Sequence, residues 1–147
     1  MTHTFVAITN PDGSVAHVYS WGTDFNLHGW STDQKYDIHA ANLALSDGRA
    51  EKVGDKELDP FVTEAFGLLN QKQNDHWNGW VSYNCKTEAY KLVNVASGLR
   101  AATAAAAAQK GYDSIKVSTD GKSVTATYTP TGSHISRSIT CTVGGCE

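Results

Sequence analysis

The longest regular pattern in this chain of 147 residues is a run of helical periodicity that follows Asn84-Cys85. Asn84 is a good N-cap residue, and apolar residues recur after it at the spacing of one helix face: Ala89, Leu92, Val93, Ala96 and Leu99. The alanine-rich residues 101–108 continue the pattern with high helix propensity and little bulk, Gly111 ends it, and Ser97-Gly98 is a point where it could break. We therefore predict a long helix that carries Cys85 in its first turn and packs closely against a sheet.

Apolar runs on both sides of this helix predict antiparallel strands. Residues 5–9 and 14–22 flank a Pro-Asp-Gly turn and predict a β-hairpin, in which alternation puts His17 on the same face as Tyr19 and Trp21. Two or three further strands are predicted after the helix, within residues 114–118, 123–128 and 134–143.

Two more helices are predicted between the hairpin and the long helix. Residues 36–45 form the first, which ends near Gly48, and residues 59–69 form the second, with Asp59 as N-cap and Pro60 at the first helical position. No internal repeat or linker interrupts the chain. The elements together predict one domain, residues 1–147, of the α+β class, with an antiparallel sheet packed against the long helix.

The composition argues against several classes of function. The formal charge of −3 and the scattered 12 Lys and Arg residues predict no basic surface for nucleic acid. No apolar run reaches the ~20 residues that cross a bilayer, and residues 1–5 lack the basic and apolar regions of a signal peptide. We therefore expect no membrane span, and a chain that stays in the cytosol or is exported by a route that the sequence does not show.

The three cysteines are not equivalent. Cys141 and Cys146 lie five residues apart around Gly144-Gly145, a spacing that permits a small disulfide and would leave Cys85 single. No His and Cys spacing typical of a structural zinc site is present, so neither a metal nor another cofactor is predicted.

Cys85 is the candidate nucleophile. A thiol in a first helical turn lies near unpaired backbone N–H groups and the positive end of the helix dipole, which favour the thiolate. The alternative is that Cys85 is a small buried residue beneath the helix.

A base should lie on a rigid element beside the cysteine, which favours His17 over His39 and His76, with His134 as a rival. Candidates to orient the imidazole follow the His17 strand: His28, Asp24 and Asn26.

The order of these residues resembles the circularly permuted papain-like hydrolases, which include NlpC-like and lecithin:retinol acyltransferase-like proteins. The likeness is carried by His17-Val18-Tyr19-Ser20-Trp21-Gly22, by His28 and by Tyr83-Asn84-Cys85-Lys86-Thr87-Glu88-Ala89, followed by Leu92. It implies a permuted papain-like fold, with Cys85 as nucleophile, His17 as base, His28 as second histidine and Asn84 as a candidate oxyanion donor. Lys86-Thr87 departs from the acyltransferase-like branch and so favours hydrolysis over lipid acyl transfer.

The resemblance implies a cysteine-dependent hydrolase that cleaves an amide bond through a thioester. Bacterial members of the group cleave cell-wall peptides, so the expected substrate is a peptide or peptidoglycan fragment, and the expected context is an effector toxin with a cognate inhibitor protein as partner. Two alternatives stay open. One is an intracellular deconjugating peptidase or acyltransferase. The other is a non-enzymatic binding domain in which Cys85 is buried and four tryptophans form a recognition surface: Trp21, Trp30, Trp77 and Trp80.

Overall fold

The computed structural model describes residues 3–23, 28–71, 85–107, 113–118, 121–142 and 145–147. In chain order the elements are β1 (Phe5–Thr9), β2 (Val15–Thr23), β3 (His28–Thr32), α1 (Lys35–Ser46), a 3-10 helix (Lys56–Leu58), α2 (Asp59–Gln71), α3 (Cys85–Ala107), β4 (Ser114–Val117), β5 (Ser123–Tyr128), β6 (Arg137–Thr142) and β7 (Gly145–Cys146). This part of the chain has the α+β class that the sequence predicts, with two antiparallel sheets and three α-helices. None of its helices is long and apolar enough to cross a membrane.

The first sheet is the predicted hairpin with one added strand, in the order β1-β2-β3. Its turn closes because the backbone N–H of Asn10 donates to the Ser14 carbonyl, while Asp12 accepts from the Ser14 backbone N–H. Gly13 adopts a φ of 88°, a left-handed conformation that glycine takes without steric cost. The register then places Phe5 opposite Ser20 and Ile8 opposite His17.

Helices cover both faces of this sheet. On one face Tyr19 and Trp30 pack against Phe66 of α2, with ring centroids 4.6 and 6.0 Å apart. On the opposite face Ser20 meets Asp37 of α1. The alternation of β2 therefore separates an aromatic face, which joins the main core, from a face that carries a small polar contact.

Helix α3 lies between the two sheets and contacts strands of both. Its fully buried residues follow helical spacing: Leu92, Val95, Ala96, Leu99 and Ala102. The helix continues through Ser97-Gly98, so the break that the sequence allows does not occur there. Gly98 instead permits close approach, since a Cβ at this position would lie 2.7 Å from Cγ2 of Val124 in β5.

The second sheet has the order β4-β5-β6-β7 and packs on α3 through β5 and β6. Cys141 and Cys146 form a disulfide that joins β6 to β7, and Cys141 is fully buried. The third strand predicted here begins later than expected, at Arg137, because residues 129–136 form an exposed turn segment. The disulfide leaves Cys85 as the cysteine with a thiol.

Candidate active site

Cys85 is the first residue of the described part of α3 and lies against the beginning of β1. The backbone N–H of Thr4 donates to Cys85 Sγ over 3.4 Å, and the Cys85 residue is 7% exposed. An N–H directed at sulfur stabilises a thiolate more than a thiol, because a charged acceptor forms the stronger hydrogen bond. The contact therefore favours the form of Cys85 that can act as a nucleophile.

His3 lies beside this sulfur because it directly precedes Thr4 in the chain. Covalent geometry places the Thr4 nitrogen roughly 2.4 Å from the His3 Cα, so that Cα lies within roughly 6 Å of Cys85 Sγ. The imidazole Nε2 of His3 is 3.1 Å from Oδ1 of Asp37 in α1. The His3 backbone thus lies close to the thiol, and its imidazole contacts the Asp37 carboxylate.

Asp37 is held on both of its oxygens. Oδ1 meets His3, while Oδ2 accepts a hydrogen bond from the Ser20 hydroxyl over 2.7 Å. The Ser20 hydroxyl is also 3.0 Å from the Ser31 hydroxyl on β3. Because the buried carboxylate engages Nε2 of His3, the nitrogen that remains to take a proton is Nδ1.

His17 lies at the other end of the hairpin. It stands opposite Ile8, four residues beyond Thr4, which places it roughly 13 Å along the strand from the residue that contacts Cys85. Its Nδ1 is 3.0 Å from Oδ2 of Asp33. The structure therefore does not bring His17 to Cys85, and its predicted role as base stays a prediction that this geometry does not support.

Asp33 has its own structural task in this second pair. Its Oδ1 accepts the backbone N–H of Val18 over 2.8 Å, and its φ of 54° is left-handed, in the turn between β3 and α1. The hydrogen bond from His17 is the main reason why the pKa of the Asp33 carboxyl lies below its ordinary value. Burial raises this pKa, whereas the hydrogen bond from the Val18 N–H lowers it further. His17 itself is about half exposed and stacks beside Tyr19.

The other predicted site residues are placed only in part. His28 is the first residue of β3 and stands opposite Thr23, but its side chain is outside the part that the structure describes. Also outside the described residues are Asp24, Asn26, His76, Trp77, Trp80 and Asn84. His134 is exposed in the segment before β6. The predicted roles of His28, Asp24 and Asn84 stay predictions.

The binding-domain alternative predicts that four tryptophans form a recognition surface, and this prediction is wrong for two of them. Trp21 and Trp30 face each other across β2 and β3 and are buried in the main core. Core packing is the physical reason, since the large rings lie beneath α2 and α3.

Sequence reasoning missed His3 and Asp37. The signal for His3 is strand alternation, because it continues the Phe5 and Ala7 face of β1 past the start of the apolar run. The signal for Asp37 is its position four residues before Ala41, on the inner face of α1, where a carboxylate requires a partner. Within the described residues no group of three or more His, Cys, Asp or Glu side chains is arranged to hold a metal ion.

Comparisons of this chain with protein-family models, with curated proteins and with solved structures found no match.

Proposed function

We propose that this protein is a cysteine-dependent hydrolase of amide bonds, with Cys85 as nucleophile, His3 as base and Asp37 as the residue that orients the imidazole. The observation that supports the proposal is the hydrogen bond from the Thr4 N–H to Cys85 Sγ, because Thr4 directly follows His3, whose imidazole contacts Asp37. A nucleophile, a base and a third group that orients the base form the general arrangement of covalent hydrolases.

The chemistry follows from this arrangement. Nδ1 of His3 takes the thiol proton, and the sulfur of Cys85 attacks the amide carbonyl to form a C–S bond. The C–N bond then breaks, and the imidazolium gives its proton to the departing amine, which leaves a thioester. Water attacks the thioester as His3 takes its proton. The C–S bond breaks, the carboxylic acid leaves, and the proton returns to Cys85.

The substrate class rests on the resemblance to permuted papain-like hydrolases. Bacterial members of that group cleave cell-wall peptides, and compact members also occur as secreted effectors. The disulfide between Cys141 and Cys146 is in keeping with an oxidising compartment, where such bonds persist. We therefore propose a peptide amide of peptidoglycan as the substrate and a cognate inhibitor protein as the partner.

One observation favours the binding-domain alternative. Cys85 is 7% exposed, and buried cysteines more often pack than react. Under this alternative the Thr4 contact serves only to satisfy a backbone N–H. Accessibility of the thiol to a small reagent distinguishes the two functions.

Two histidine variants provide a matched test. We would measure iodoacetamide labelling of Cys85 against pH in the wild type, His3→Ala and His17→Ala, and would confirm the labelled site by peptide mass. We expect fast labelling below the ordinary thiol pKa of ~8.5, slowed by His3→Ala and unchanged by His17→Ala. Slow labelling that neither variant changes would support the binding domain, and slowing only in His17→Ala would restore His17 as the base.

The substrate is tested separately. Purified wild type and Cys85→Ala would be incubated with muropeptides, ubiquitin-like conjugates and acyl thioesters, with products identified by mass. Cleavage of muropeptides by the wild type alone, together with lysis on expression in the periplasm but not in the cytosol, would support the cell-wall assignment. Cleavage of conjugates or thioesters instead would move the enzyme to the deconjugating or acyltransferase class.

A further inference from the structure

The disulfide between Cys141 and Cys146 has one buried end and one exposed end. Cys141 in β6 is fully buried, whereas Cys146 in β7 is exposed. The two residues stand opposite each other in the antiparallel register, so their side chains lie on the same face of the sheet, the face that packs on α3. A reductant in solution therefore reaches this bond through Cys146.

Cys141 lies where the second sheet meets the middle of α3. It stands opposite Val124 of β5, which is also fully buried. A Cβ at Gly98 of α3 would lie 2.7 Å from Val124 Cγ2 and 3.8 Å from the Cys141 carbonyl oxygen. Helix α3 contacts β7 as well as β6. The disulfide thus joins the last strand of the sheet to the core around the helix that begins at Cys85.

Strand β7 depends on this cross-link for its place in the sheet. It has two residues, and in the described part of the chain it pairs with β6 alone. Backbone hydrogen bonds of 2.9 Å join Thr140 and Glu147 in both directions, but Glu147 is exposed and water competes for these bonds. Strands in globular proteins usually have roughly 3–10 residues, so a pairing this short is weak without a covalent restraint.

We infer that the Cys141–Cys146 disulfide is a redox latch, whose reduction releases β7, uncovers Cys141 and weakens the packing of the second sheet on α3. The reductant is a dithiol, and the reaction is thiol–disulfide exchange. One thiolate of the dithiol attacks Cys146 Sγ, the S–S bond breaks, and the Cys141 sulfur leaves with the electron pair and takes a proton from water. The second thiol then loses its proton and attacks the mixed disulfide, which releases Cys146 and the oxidised reductant. Closure is the reverse reaction, with a disulfide oxidant that accepts the two electrons.

The latch gives the enzyme a dependence on its compartment, and this consequence rests on the proposed function. Thiols stay reduced in the cytosol, whereas disulfides persist in the periplasm and outside the cell. The protein with an open latch is the less stable form. The hydrolase therefore reaches its full stability only on the oxidising side of the membrane, where the proposed cell-wall substrate lies.

The test begins with the folded wild type, treated with dithiothreitol and then with excess iodoacetamide, with each labelled cysteine identified by peptide mass. We expect Cys146 to be labelled first and Cys141 at a rate within about tenfold of it, because release of β7 is a local opening. The thermal unfolding midpoint should fall by about 5–10 °C on reduction. Labelling of Cys146 alone in reduced protein that circular dichroism shows to be folded would overturn the inference, and so would an unchanged midpoint.

Cys146→Ala is the matched control, because it removes the cross-link and keeps the other two cysteines. Its midpoint should equal that of the reduced wild type and should not fall further in dithiothreitol. A further fall would place the effect of the reductant elsewhere and overturn the latch. If Cys146→Ala does not fold, the labelling and the midpoint of the reduced wild type still decide.

Hydrolysis is measured separately, since dithiothreitol also keeps the Cys85 thiol reduced. Muropeptide cleavage at a temperature between the two midpoints should persist in the oxidised wild type and be lost in Cys146→Ala without reductant. Equal cleavage by both proteins would overturn the dependence on compartment. If neither protein cleaves muropeptides at any temperature, while labelling and midpoints change as expected, the proposed function fails and the latch stands.

Discussion

Two histidine–aspartate pairs occupy opposite ends of the same hairpin, and their contact distances are nearly equal. His3 is 3.1 Å from Asp37, and His17 is 3.0 Å from Asp33. Their surroundings differ: the Asp37 side chain is 12% exposed and the Asp33 side chain 38%. The first carboxylate extends from α1 toward the sheet and accepts a hydrogen bond from Ser20 of β2, whereas the second lies in a surface turn.

The difference shows that equal contact distances do not make the two pairs physically equivalent. Water competes for Asp33 and screens its charge, so an exposed pair contributes little energy and holds its histidine loosely. The low exposure of Asp37 strengthens its hydrogen bonds to Ser20 and His3, while the two histidine side chains are similarly exposed, at 44% for His3 and 54% for His17. His3 also directly precedes Thr4, whose N–H contacts Cys85, and for this reason the proposed function assigns proton transfer to the His3 and Asp37 pair.

The sharpest way to break this comparison is to replace each carboxylate by an amide. In Asp37→Asn the amide can donate to Nε2 of His3, which favours the tautomer with a proton on Nδ1 and removes the base. We expect the rate of substrate hydrolysis to fall by about 10²–10⁴, as when a triad carboxylate is lost. Asp33→Asn is the control and should leave the rate unchanged. An equal loss in both variants would mean that the two pairs do not differ in function.

The two pairs also show which parts of the fold and of the candidate site can be predicted from the sequence. The hairpin and α2 were predicted because their signals are local: the turn at Asp12-Gly13 and Pro60 after Asp59. Alternation correctly placed His17 beside Tyr19. It could not reveal that α1 would cover the opposite face of the sheet, which is the packing that joins His3 to Asp37.

Long-range packing explains the other differences between prediction and structure. Gly98 suggests a helix break when considered alone, but its role depends on Val124, which lies 26 positions later in the chain. The buried positions of Trp21 and Trp30 depend in the same way on Phe66 and α3. No local pattern encodes which helix reaches which face, so the sequence favours as candidate base His17, the histidine with the clearer strand around it.

A second test compares the hydroxyl groups that serve buried and exposed carboxylates. Ser20→Ala removes the hydroxyl that donates to Asp37 within the fold, so we expect the free energy of unfolding to fall by about 1–3 kcal/mol. Ser14→Ala removes the hydroxyl that donates to exposed Asp12 over 2.6 Å, and water can replace that bond, so its cost should be clearly smaller than that of Ser20→Ala. Urea unfolding at pH 7 measures both. Equal costs would show that burial does not set the strength of these bonds.

A third test measures each pair by a double-mutant cycle. Alanine replaces His3, Asp37 and both together in one cycle, and His17, Asp33 and both together in the other. We expect a coupling energy of about 1–2 kcal/mol for His3 and Asp37, of which only the carboxylate is buried, and below about 1 kcal/mol for the exposed pair of His17 and Asp33. Unfolding in urea at pH 6, repeated at high salt, gives the values, and salt should weaken mainly the exposed pair. A larger coupling for His17 and Asp33 would reverse the comparison.

The smallest expected effect is the pH dependence that Asp33 adds to stability. Its pKa in the folded state lies below the ordinary 3.8, because His17 donates to the carboxylate. The carboxylate therefore stabilises the fold above pH 3.8, and this contribution is lost as the pH falls through the lowered pKa of the folded state.

The difference in unfolding free energy between the wild type and Asp33→Asn should be constant from pH 5 to pH 7, shrink below about pH 4, and stay under about 1 kcal/mol because the pair is exposed. Urea unfolding from pH 3 to pH 7 measures it. In His17→Ala the difference should be reduced at every pH, because the main cause of the lowered pKa is gone; a difference that His17→Ala leaves intact would assign the effect to the Val18 N–H instead.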